Sequence, residues 1–122
     1  MKVLRIGIAS ADDFKARTIA IAEGRVRASA GEPKFWFNSA QSLGKLIDEN
    51  WPLLQEIRRR PPPSMSELAG RTGRSLSNLS RTLKSLEFCG LVSIEPGDGL
   101  RKRPVVTYDR IEMVTAPFAD AL

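Results

Sequence analysis

The side chains of this 122-residue chain that could do chemistry are hydrogen-bond donors and cations, because the usual nucleophiles, bases and metal ligands are nearly missing. Histidine is absent and Cys89 is the single cysteine, which removes the common zinc sites, histidine-based triads and Cys–His pairs. The acidic residues are scattered, so no catalytic residue, cofactor or metal is expected. The donors are concentrated instead. Arg74, Ser75, Ser77, Asn78, Ser80, Arg81 and Lys84 crowd one short stretch, and Arg101, Lys102 and Arg103 form a second group. At 100° per residue, Leu76, Leu79, Leu83 and Leu86 share one side of a helix, and Arg74, Ser77, Asn78, Arg81, Lys84 and Ser85 share the other. Every residue of that outer face reads as polar or cationic. A central Arg81 could grip guanine O6 and N7 with both arms of its guanidinium, and Asn78 has the amide geometry for adenine N6 and N7. Ser77 and Ser80 are short enough to reach base or phosphate without holding the helix away, and Lys84 suits phosphate.

A polar outer face occurs on any soluble amphipathic helix, so the flanking elements decide what it means. Pro61-Pro62-Pro63 forbids helix and stiffens the chain. Ser64 and Glu67 then form an S-x-x-E capping box, which predicts a helix start. Leu68 and small Ala69 face inward, and Gly73 ends that helix by tolerating a left-handed turn. Ser75 caps the donor-bearing helix, expected from about Leu76 to Cys89. Two β-rich runs, LVSIE and VVTY, flank the loop Pro96-Gly97-Asp98-Gly99, with Arg101, Lys102 and Arg103 as its cationic tip. Such a tip suits phosphate or the minor groove. The Gly-rich loop has no helix after it, so it is not a nucleotide-binding loop.

Charge follows the same division. Residues 1–56 hold 8 basic and 7 acidic side chains, residues 57–110 hold 11 and 5, and residues 111–122 hold 0 and 2, giving +1, +6 and −2 of the total +5. A cationic excess confined to the candidate elements points to a polyanionic partner.

Ahead of them, Val3–Ile8 reads as a strand, and Ser10 with Asp12 and Asp13 opens a helix that Gly24 ends. Arg25–Pro33 is a loop and Lys34–Phe37 a second strand. Asn38 or Ser39 caps a helix carrying Leu43, Leu46 and Ile47, and Pro52 begins a new helix or kinks this one before the stripe of Leu53, Leu54 and Ile57. Arg58, Arg59 and Arg60 suit the helix's C-terminal end. The aromatic trio Phe35-Trp36-Phe37 on an edge strand would need a partner, which suggests a subunit interface. Cys89, between Phe88 and Gly90, reads as a small buried residue. No apolar run approaches the roughly 20 residues of a membrane span, and the lone cysteine fits a reducing compartment, so no membrane and a cytoplasmic location are expected.

Residues 51–108 resemble the winged helix-turn-helix of MarR-like and ArsR-like prokaryotic regulators. SMSELAGRTG matches the first helix of the motif, SLSNLSRTLKSLEFCGLV the recognition helix and its exit, and RKRPVVTY the returning wing strand. LKSLEFCGLV is the most specific piece. The strand-helix-strand ahead of the motif also resembles small regulators encoded beside a toxin, where the regulator serves as antitoxin. These resemblances imply an α+β fold, a winged helix-turn-helix with an N-terminal strand-helix-strand extension. Its parts would be an extension at 1–38 for dimerisation or partner binding, a DNA-binding domain at 39–114 and a tail at 115–122. They imply a sequence-specific DNA-binding transcriptional regulator, a dimeric repressor that could double as an autoregulating antitoxin. Its partners would be double-stranded DNA, a second copy and a cognate toxin. The alternative is a protein-binding module that neutralises a partner, with the winged helix as scaffold. The long C-terminal dimerisation helix of MarR proteins is missing, so Val3–Ile8 and Lys34–Phe37 would supply the subunit contacts.

Overall fold

Among the described residues, a strand-helix-strand is followed by three consecutive helices and then three strands. The computed structural model describes residues 1–27, 32–97, 99, 101–118 and 120. In order they are β1 (Val3–Ile8), α1 (Ala11–Ala22), β2 (Phe35–Phe37), α2 (Ala40–Arg59), α3 (Met65–Thr72), α4 (Leu76–Phe88), β3 (Ser93–Pro96), β4 (Lys102–Val105) and β5 (Arg110–Thr115). The mixed α+β content expected from the sequence is present. Parts of the expected loop at 25–33, of the turn at 96–99 and of the tail fall outside the described residues.

Each helix starts where a serine offers an acceptor to an orphan N–H. Ser10, Ser39, Ser64 and Ser75 accept from the backbone N–H of Asp13, Ser42, Glu67 and Asn78, three residues on. At Ser64 only half of the capping box forms, because Glu67 turns to Arg71 at 2.8 Å. Pro52 neither starts nor breaks a helix but lies inside α2. The helix spans it because Leu53, Leu54 and Ile57 beyond it are buried in the same core as Leu43 before it, so packing offsets the missing N–H.

Two sheets frame the helices. β3 and β4 form an antiparallel pair with Glu95 opposite Arg103. The other sheet is parallel, in the order β2-β1-β5. β1 lies in its middle, with Ile6 opposite Phe35 on one side and Met113 on the other. The chain's first strand and its last therefore share one sheet, and the segments 1–38 and 39–114 meet in it. Thr115, expected to begin an irregular tail, closes β5. One face of this sheet, through Ile6, Leu4, Ile8, Phe37 and Ile111, completes the core built by Leu43, Leu54, Ile57, Leu68, Leu79, Leu83 and Leu86.

Both edges of β1 are already paired, so β1 has no free edge to offer a second copy. Most of the aromatic trio is occupied as well. Trp36 stacks over Gly7, meets Phe14 edge-on at 5.7 Å and lies under Arg17 at 5.0 Å, Phe37 packs on the core, and Phe35 covers Gly90. Among the described residues no helix is long and apolar enough to cross a membrane.

Candidate nucleic-acid interface

α4 is held by its apolar side. Leu79, Leu83 and Leu86 are fully buried, and this fixes the opposite face outward. Ser77, Asn78, Arg81 and Lys84 are exposed along that face, and Ser80 is half-buried at its border. Arg74, expected on the same face, precedes the helix. It sits in the turn between Gly73, at φ +69°, and the cap Ser75, with its N–H bonded to Ala69 O at 3.2 Å. Ser75 spends its hydroxyl oxygen on the cap.

Leu76 departs from its expected inward place and is 50% exposed. As the first residue of α4 it reaches past the end of the buried stripe. With Ser64, Met65, Ser66 and Ser80 it lines a shallow concavity whose other wall is Arg101 and Lys102. The β3–β4 hairpin thus stands beside the first turns of α3 and α4, and its Arg101 and Lys102 share this concavity with Leu76 and Ser80 of α4.

The three hairpin cations are not equivalent. Arg101 and Lys102 are exposed. Arg103 lies opposite Glu95 in the ladder and donates to its carboxylate from Nη2 at 2.8 Å and Nε at 3.2 Å. Arg103 is therefore a strand-pairing residue first, and the cationic tip reduces to Arg101 and Lys102. Among the described residues, none of Arg74, Arg81, Lys84, Arg101 and Lys102 is ion-paired, whereas Arg5, Arg58, Arg60, Arg71 and Arg110 each meet a carboxylate.

Polar contacts, exposed at α3 and buried at Tyr108, tie these elements together. Arg71 donates to Arg60 O at 2.7 Å and pairs with Glu67 at 2.8 Å, tying α3 to the end of α2. The hydrogen bond from Arg60 holds the Glu56 carboxyl below its ordinary range. Tyr108 donates its hydroxyl to Leu91 O at 2.8 Å, which fastens the chain leaving β4 to the exit of α4; burial pushes the phenol far up. Cys89 is buried, as its neighbours suggested, and desolvation raises its thiol. No cluster of potential metal ligands occurs among the described residues.

One residue of this surface escaped the sequence reading. Phe88, at the end of α4, is 77% exposed and with Phe37, Ser42, Leu46, Lys84 and Ser85 lines a concavity of about 470 Å³. The signal was present: the 100° rotation that places Arg81 outward also brings position 88 to the outer face.

Comparison with curated proteins and with solved structures finds no match to this chain. A protein-family model does match, HVO_A0114, over residues 45–113. The matched stretch runs from the second turn of α2 into β5 and contains α3, α4, the β3–β4 hairpin and all ten donors considered above. It spans more than half of the sequence, and on that ground the chain belongs to the HVO_A0114 family.

Proposed function

We propose that this protein is a sequence-specific DNA-binding transcriptional regulator, a repressor acting as a homodimer. In this reading α3 and α4 are a helix-turn-helix with α4 as the recognition helix, and β3–β4 is the wing. The observation that carries it is that Arg81 and Lys84 lie exposed on the outer face of α4, that the hairpin beside the start of that helix exposes Arg101 and Lys102, and that none of the four is ion-paired among the described residues. Surface cations of this kind suit a phosphate backbone, and Arg81 with Asn78 on a helix narrow enough for the major groove suits base edges. Two copies would read half-sites about 10 base pairs apart.

The test is to sequence the DNA fragments retained by the purified protein and to titrate variants on the selected and on a scrambled duplex. Arg81→Ala should lose about 1–3 kcal/mol on the selected duplex and relax base preference. Lys84→Ala should weaken both duplexes alike. Arg81→Ala binding both as tightly as the parent refutes the assignment of α4.

A second reading, binding of a partner protein such as a toxin, is favoured by Phe88, whose exposed ring beside Phe37 and Leu46 has no role in reading phosphate. Phe88→Ser lowering the affinity for a co-expressed partner while leaving DNA binding intact would support it.

A further inference from the structure

β5 (Arg110–Thr115) is the longer edge strand of the parallel sheet, six residues against three for β2. Its pairing with β1 is continuous from Arg110 to Thr115. Arg110 donates its N–H to Lys2 O and Ala116 its N–H to Ile8 O. Donors alternate sides along a strand, so the N–H groups of Ile111, Met113 and Thr115 point away from β1. The usual guards of an edge, proline, lysine or a bulge, are missing from the strand. Met113 and Val114, on opposite faces, are 52% and 37% exposed.

The occupant follows from charge. Arg110 and Glu112 lie on one face, 2.8 Å apart, and Glu112 also meets Arg5 at 3.1 Å. We propose that β5 pairs antiparallel with β5 of a second copy about a two-fold axis at Ile111, joining two three-stranded sheets into one of six strands. This register places Arg110 of each copy opposite Glu112 of the other, two complementary cross-strand pairs around a central Ile111 contact. An axis at Glu112 would oppose two carboxylates, and an axis at Met113 would set Arg110 and Glu112 against uncharged residues. The strand is thus complementary to itself, as an isologous interface requires. The proposal gives the dimer of the preceding reading its surface and rests on that reading only for the biological need of two copies.

The test is mass by light scattering on the full chain without DNA, so its outcome is separate from that of DNA binding. The full chain should dimerise as concentration rises. Arg110→Glu and Glu112→Arg should each raise the dimer dissociation constant about tenfold or more by setting like charges opposite one another. An equimolar mixture of the two variants should recover dimers, because each then meets the opposite sign at both positions. Amide exchange on the parent protein provides a second readout, with the Ile111 and Met113 amides gaining protection as concentration rises. A full chain that stays monomeric at high micromolar concentration, single variants that dimerise undiminished, folded single variants whose mixture stays monomeric, or Ile111 and Met113 amides that exchange freely at every concentration would each overturn it.

Discussion

Three cations follow one another in the hairpin, and the structure makes them unequal in a way that salt dependence can read. Arg101 and Lys102 are exposed, while Arg103 is committed to Glu95 by two hydrogen bonds. Each phosphate contact adds about 0.9 to the slope of log affinity against log salt. If the hairpin is a wing on DNA, Arg101→Ala and Lys102→Ala should each flatten the slope by about 0.9, and the double variant by about 1.8. Arg103→Ala should leave the slope nearly unchanged, since its guanidinium has little charge to spare. Glu95→Ala should do the opposite and steepen the slope by up to about 0.9, by releasing Arg103 toward the backbone. The assay is fluorescence anisotropy of a labelled duplex across a salt series, with thermal melts to check folding. An Arg103→Ala slope that falls as much as that of Arg101→Ala, or a Glu95→Ala slope that stays level, refutes the reasoning from strand pairing. No change in any of the four removes the hairpin from the interface altogether.

Two further outcomes test the frame behind the site. Gly7→Ala would drive a Cβ into the Trp36 ring at Cε3, and since Phe14 and Arg17 hold that ring, overpacking should cost about 1–3 kcal/mol; an unshifted melting temperature with an unchanged Trp36 near-ultraviolet signal would contradict the packing described. Tyr108→Phe strands the buried Leu91 carbonyl and should cost about 1–3 kcal/mol in urea denaturation, with a neutral result showing that the chain beyond β4 is fastened some other way.

The local decisions were legible residue by residue. Ser10, Ser39, Ser64 and Ser75 announce helix starts because a hydroxyl three residues ahead of an orphan N–H is a short-range interaction that needs no knowledge of the fold. Gly73 marks the turn between α3 and α4 for the same reason, since only local sterics set the cost of a positive φ. The 3.6-residue period of Leu79, Leu83 and Leu86 told which side of α4 is buried and so which side Arg81 faces. It does not tell where the stripe stops: Leu76 fits the same period yet is half exposed, because periodicity alone cannot see how far the neighbouring elements cover the helix's first turn.

Pairing between distant segments was decided only in three dimensions. Residues 3–8 and 110–115 join by backbone hydrogen bonds whose energy is nearly independent of side-chain identity, so nothing in either stretch names the other. That single pairing turned β1 into a central strand and made β5 an edge strand of the sheet. The same holds at the hairpin: Arg103 reads as one of three equivalent cations until the register sets it opposite Glu95. The sequence by itself determined the starts of α1, α3 and α4 and the outward face of α4, because those rest on interactions within a few residues, whereas the continuity of α2 through Pro52 did not follow from it. The tertiary structure alone decided which cations meet a carboxylate among the described residues and which strands lie at the sheet's edges, because both depend on what the rest of the chain brings alongside.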